Sequence, residues 1–126
     1  MGMYKKILNW DYDPKRDIAF IFSQDYDYQE SIKLMNLSLD LNPQGKVVAL
    51  EIFNSSRSLE VEKESLTTPE DFLIEISVKN RTLNVIASFK LHSEGGLTDR
   101  WLREKTVVEH RILENILRPI HHIKEK

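Results

Sequence analysis

The sequence predicts an α+β domain, in which three antiparallel hairpins supply about six strands and a C-terminal amphipathic helix packs on one face of the sheet. Three observations lead there. Apolar and polar residues alternate through residues 35–53 and 72–89, the period of two that half-buried strands require. Turn-forming residues punctuate these runs at Asp13-Pro14, Asn42-Pro43-Gln44-Gly45 and Asn80-Arg81. Beyond Gly95-Gly96 the period lengthens to about 3.6: Leu97, Trp101, Val108, Ile112 and Ile116 follow one edge of a stripe, and Leu102, Leu113, Leu117 and Ile120 the other.

In the first hairpin, Tyr4, Leu8, Trp10 and Tyr12 share a face if residues 4–12 are extended. Asp13-Pro14-Lys15-Arg16 then reads as a turn, because Asp13 can accept a local backbone hydrogen bond and Pro14 is preset for the second turn position. Residues 17–22 (Asp-Ile-Ala-Phe-Ile-Phe) are apolar on both faces after Asp17, as a mid-sheet strand would be. Residues 24–31 form a polar, acidic, tyrosine-bearing connection. In the second hairpin, pairing Leu41 with Lys46 sets Met35, Leu37 and Leu39 against Ile52, Leu50 and Val48, with Asn36, Ser38 and Asp40 opposite Glu51, Ala49 and Val47. A slip of one residue would drive Glu51 among apolar side chains, a costly burial of an unpaired carboxylate.

Residues 54–71 carry conflicting signals, since Leu59 to Glu62 alternates while Thr68-Pro69 resembles a helix start. The third hairpin pairs Val78 with Leu83, Ile76 with Val85, Ile74 with Ala87 and Phe72 with Phe89 around Asn80-Arg81. Arg81 is poorly suited to a positive φ, which points to a looser turn. For the helix, Thr98 or Asp99 can cap its start and Pro119 should end it near Arg118, leaving residues 119–126 as a tail.

Residues 1–126 fit one domain, long enough to bury a core without a metal or disulfide staple. There is no cysteine, which removes thiol chemistry and leaves a cytoplasmic location as the default. Eighteen basic residues against twenty acidic ones give a formal charge of −2, so no general field attracts nucleic acid or anionic lipid. No apolar run reaches the length of a membrane span, and residues 1–6 lack the apolar core of a signal peptide.

Two segments carry a family resemblance. Tyr12-Asp13-Pro14 with Asp17-Ile18-Ala19-Phe20-Ile21, and Asp40 to Gly45 with Ala49-Leu50-Glu51-Ile52 and Asn54-Ser55-Ser56, resemble the small prokaryotic family known as domain of unknown function 2283. The resemblance covers residues 4–60 and leaves residues 61–126, the third hairpin and the helix, unmatched. It implies a compact antiparallel β domain with no known catalytic residues. Because some members are encoded beside toxin-like genes, it also implies an antitoxin-like partner role as one alternative.

Candidate chemistry is sparse. Asp11, Asp13 and Asp17 are candidate carboxylate ligands for a hard divalent cation, but Lys15, Arg16 and Phe22 stand where a calcium loop needs a ligand, Gly and Glu. Asp40 and Glu51 share the polar face of the second hairpin, not directly opposite each other, as an acid–base pair would need to be close. The four histidines have no ligand spacing, and no Gly-rich phosphate loop or nucleophile elbow is present, so no cofactor is expected. On the helix stripe, Trp101, Lys105, Val108, Glu109, Ile112 and Ile116 form a candidate self-association surface. The expectation is a non-enzymatic interaction module that forms homo-oligomers. The alternative is a small-ligand or divalent-metal binder using Asp11, Asp13, Asp17 or Glu51.

Overall fold

The computed structural model describes residues 8–24, 26–109 and 112. Eight strands, β1 (Leu8–Asp13), β2 (Ile18–Ser23), β3 (Glu30–Lys33), β4 (Leu37–Leu41), β5 (Val47–Phe53), β6 (Asp71–Lys79), β7 (Thr82–Ser93) and β8 (Gly96–Val107), are joined by a short helix α1 (Ser55–Leu59) and a single 3-10 turn at Lys63–Leu66. They form two antiparallel sheets, β1-β2-β5-β4-β3 and β6-β7-β8. This overturns the α+β expectation of one sheet and a long helix: α1, five residues long, is the longest helix among the described residues.

The predicted C-terminal helix fails at its first half. Residues 96–107 are the third strand of the second sheet, paired with β7 from Ser93↔Gly96 to Thr82↔Val107. Thr98, Arg100, Leu102, Glu104 and Thr106 turn inward, while Asp99, Trp101, Arg103, Lys105 and Val107 face solvent. The helical stripe rested on Leu97, Trp101 and Leu102, which in the strand divide between its faces, Leu97 and Trp101 outward and Leu102 inward. A twelve-residue ladder of backbone hydrogen bonds with β7 decides between helix and strand, and local propensity yields to it. Gly95-Gly96, expected to end the β region, instead turns the β7–β8 hairpin, with Gly96 at φ 121° where a side chain would be strained. Stripe positions Leu113, Ile116, Leu117 and Ile120 lie outside the described residues.

Other expectations hold. β1 and β2 pair around the Asp13-Pro14 turn, and β2 lies inside its sheet between β1 and β5, which accounts for its two apolar faces. The third hairpin has the expected register from Phe72↔Phe89 to Val78↔Leu83. Its turn is tight rather than loose, because Asn80 and Arg81 both adopt positive φ (52° and 66°), the twist that matches a two-residue hairpin.

From Leu37 to Asp40 the second hairpin keeps the predicted faces but slips by two residues, pairing Leu37 with Ile52 and Leu39 with Leu50, whereas Val47, expected on the polar face, pairs with Leu41 and packs against the core. Asn42 sets this register: its side-chain oxygen accepts from the Gln44 and Lys46 N–H groups, and its own N–H donates to the Lys46 carbonyl. Val48 becomes the extra residue of a bulge between Asp40↔Ala49 and Leu41↔Val47. An even slip preserves which side chains face the core, so Glu51 stays on the polar face. Met35, expected in the ladder, is 87% exposed. A strand not foreseen, β3, extends the sheet beyond β4.

The inner faces of the two sheets share one apolar core. Ala19, Ile21, Leu37, Leu39, Leu50 and Ile52 of the first sheet belong to the same cluster as Ile76, Leu83, Val85, Ala87, Phe89 and Leu91 of the second. Each large aliphatic side chain buried there contributes on the order of 1.5–3 kcal/mol. Trp10 ties the layers at one end, its ring 5.6 Å from Phe72 and 5.8 Å from Phe89 and its indole N–H donating to the Leu66 carbonyl at 2.8 Å. The Glu104 carboxylate of β8 accepts from the Asn36 backbone N–H at 2.8 Å and from its side-chain amide at 3.1 Å. Residues 54–71, which carried conflicting signals, hold α1, the 3-10 turn and the first residue of β6, and Thr68-Pro69 starts no helix.

Candidate functional site

The three N-terminal aspartates do not converge. Asp13 caps its own turn, accepting from the Lys15 and Arg16 N–H groups, and Asp11 is exposed on β1. Asp17 takes a positive φ of 58° at the mouth of the first hairpin and accepts hydrogen bonds from the Tyr12 hydroxyl, the Ser56 N–H and the Ser56 hydroxyl. It thereby caps α1 from across the fold. Partial burial raises the Asp17 pKa, but the hydrogen bonds from Tyr12 and Ser56, with the Lys63 ammonium nearby, outweigh it and hold the carboxyl below its usual range. Beside it, Ser55 is fully buried, accepting from the Ala19 N–H and donating to the Ile52 carbonyl. These residues fasten β2 and β5 to α1. Among the described residues no group of three or more His, Cys, Asp or Glu side chains is arranged to hold a metal ion.

The outer face of the first sheet holds a pair of carboxyl groups. Cross-strand pairing sets Ser31 opposite Asp40 and Ser38 opposite Glu51, so Asp40 and Glu51 are diagonal neighbours. Asp40 is only 1% exposed. It accepts from the Ser31 hydroxyl at 2.7 Å and the Tyr26 hydroxyl at 3.1 Å, and is hydrogen-bonded to Glu51. Burial, the Asp40 charge and that hydrogen bond push the Glu51 pKa up, while Lys33 opposes the shift. Tyr26 covers the site, its ring edge-on to Phe20 at 5.7 Å, and partial burial with the Asp40 contact pushes its hydroxyl up to about 12. Shared-face placement of Asp40 and Glu51 was legible in the alternation. The covering Tyr26 was not, because it reaches the face from a polar connection.

The second sheet presents a different surface. Its outer face runs across the strands as Leu73, Ser88, Trp101 and as Glu75, Ile86, Arg103. Trp101 is 62% exposed, and Leu97 and Val107 at the two ends of β8 are 54% and 69% exposed. Beside them a shallow cleft of about 340 Å³ is lined by Leu73, Phe72, Lys90 and Trp101. β8 is an edge: no described strand pairs with its far side. The candidate self-association residues are divided by this arrangement, because a strand spreads what a helix would align. Trp101 and Lys105 stand on the outer face, Val108 and Ile112 pack against the core, Glu109 follows the strand as an exposed residue, and Ile116 lies outside the described residues.

Residues 9–56 match the model of a family described as protein of unknown function (DUF2283), the stretch comprising β1 to β5 and the start of α1. The same stretch carries the Tyr12-Asp13-Pro14 turn, Asp17 and the Asp40–Glu51 pair. The chain is also similar to a Methanosarcina mazei protein named "Putative hypoxanthine phosphoribosyltransferase", with 25% identity over 96 residues that span 76% of this chain and 78% of that protein. No solved structure matches the chain. No described helix is long and apolar enough to cross a membrane.

Proposed function

We propose that this protein is a non-enzymatic interaction module that self-associates through its second sheet, β6-β7-β8. The observation supporting this reading is the exposed row on that sheet, with Trp101 and Leu73 side by side across Ser88 and the adjoining β8 edge unpaired. Apolar side chains gathered beside an open edge are what a sheet-mediated contact uses, and they are a liability in a chain that stays alone. Sedimentation of the full chain across a micromolar to high-micromolar range tests the reading. Self-association weakened by Trp101→Lys, with folding unchanged, supports it; a monomer at every concentration that also captures no partner overturns it. Recovery of a partner of different sequence on the same face would identify the antitoxin-like alternative.

A second reading, binding of a small cationic ligand, is favoured by the buried Asp40 beside Glu51, whose pKa is raised by burial and by the Asp40 charge. Opening Tyr26 would present two carboxyl groups and the Ser31 hydroxyl to such a ligand. Tyrosine absorbance titrated with a primary amine or with magnesium tests it, and a wild-type spectrum unchanged by either ligand rejects it. The phosphoribosyl transfer in the name of the Methanosarcina mazei protein is not carried over. Phosphate groups are cradled by Gly-rich loops and helix N-termini, whereas Gly45 and Gly96 turn hairpins and α1 has five residues.

A further inference from the structure

The sequence of β8 is self-complementary about Leu102. Read outward from that residue, Trp101 mirrors Arg103, Arg100 mirrors Glu104, Asp99 mirrors Lys105, Thr98 mirrors Thr106 and Leu97 mirrors Val107. Every mirrored pair therefore joins an aromatic to a cation, opposite charges, two hydroxyls or two apolar groups. In a strand, residues equidistant from a centre lie on the same face, so antiparallel pairing of β8 with another β8 would set each of these pairs directly across from one another.

We infer that a second copy of this chain docks on the β8 edge, antiparallel and in the register centred on Leu102, joining two three-stranded sheets into one of six strands. This rests on the self-association reading above and specifies its geometry. A two-fold contact needs a surface complementary to itself, and β8 meets that condition at all five mirrored positions. Three features of the isolated chain agree. The Nε of Arg100 is buried without a partner, and among the described residues no carboxylate forms an ion pair with that guanidinium. Its mirror residue Glu104, although engaged by Asn36, retains acceptor capacity for it. Leu97, Trp101 and Val107, all more than half exposed, would each gain a neighbour: Val107, Arg103 and Leu97 of the second copy. The alternative registers do less well. Moving the centre to Trp101 sets Lys105 against Leu97, and a centre midway between two residues would set the inward-facing positions of one strand against the outward-facing positions of the other.

Charge exchange at the solvent-facing pair tests this. Asp99→Lys sets Lys against Lys105 of the second copy twice per dimer, and Lys105→Asp sets Asp against Asp99 twice. Each variant alone should self-associate more weakly by on the order of 30-fold, from two like-charged cross-strand pairs in place of two opposite ones. Mixing the two variants, or combining both changes in one chain, restores complementary pairs and should restore association. Asp99 also pairs with Lys90 of its own chain at 3.2 Å, so circular dichroism and urea unfolding of each variant establish that the fold is intact. The chain has no cysteine, so Leu102→Cys supplies a single thiol whose oxidation should give a disulfide-linked dimer, the two Cα atoms at the centre being within disulfide reach. Weakening by each single exchange with rescue in the mixture supports the inference. A dimer indifferent to both exchanges overturns it while leaving the interaction module intact, and a monomer at high micromolar concentration overturns both.

Discussion

Replacing Asp17 separates its structural role from a metal-binding one. In Asp17→Ala, the Ser56 N–H, the Ser56 hydroxyl and the Tyr12 hydroxyl lose their common acceptor. Hydrogen bonds to a charged group contribute about 1.5–3 kcal/mol each, but these three share one half-exposed carboxylate and do not add, so about 3 kcal/mol is expected for the set. Ala must also hold the left-handed conformation that Asp tolerates, at a further cost of about 1 kcal/mol. At roughly 2.1 cal/mol/K per residue over 126 residues, the total corresponds to a drop in Tm of about 15 °C. Asp17→Asn keeps the backbone tolerance and one acceptor oxygen and should lose about half as much. Urea unfolding at neutral pH reads these losses.

The same variant has an acid signature. The folded pKa of Asp17 is lowered from 3.8, so its contribution is present above that value and disappears as pH falls through the folded value. Wild-type and Asp17→Asn unfolding midpoints should therefore converge below pH 3.8 and separate above it. A loss below about 1 kcal/mol for Asp17→Ala would refute the capping argument. So would stabilisation of wild type, but not of the variant, by calcium, magnesium or manganese.

Three further outcomes follow from single residues. Arg81→Gly removes a side chain from φ 66° and should stabilise the protein by about 1 kcal/mol in thermal unfolding; a loss instead would mean the Arg81 side chain has a compensating contact. The Glu51 pKa is raised from 4.5 in the fold, so its contribution is present below that value and is lost as pH rises through the folded one. Glu51→Gln should accordingly gain on wild type as pH rises above 4.5, and parallel pH profiles of the urea midpoint would contradict a raised Glu51 pKa. In an absorbance titration, Tyr26→Phe should delete a phenol ionising at about 12 and leave the rest of the curve in place.

Much of the first half of the chain was legible because its signals are local. Asp13-Pro14 marks a turn by backbone chemistry, the alternation of 37–53 assigns faces, and Glu51 is kept out of the core by the cost of burying an unpaired carboxylate. The exact pairing of β4 with β5 was not legible. A slip of two residues leaves both faces unchanged, and only the side-chain hydrogen bonds of Asn42 and the bulge at Val48 choose between them. In the same way, Asp40 and Glu51 were placed on one face by sequence, but the burial of Asp40 depends on Tyr26 folding over it.

For this protein, then, sequence by itself determined the Asp13-Pro14 turn, the inward and outward faces of residues 37–40 and 72–89, and the Phe72 to Phe89 hairpin, all consequences of the period-two pleat and of backbone preference. Only the tertiary structure decided the division into two sheets and the nature of residues 96–107. Their apolar residues Leu97, Trp101 and Leu102 share one side of a helix but divide between the two faces of a strand, and β7 supplied the row of backbone partners that made the strand the lower state. That choice moved Trp101 from an expected helix stripe to an open sheet edge, where a helical reading of Trp101, Lys105, Val108 and Ile112 as one surface no longer applies.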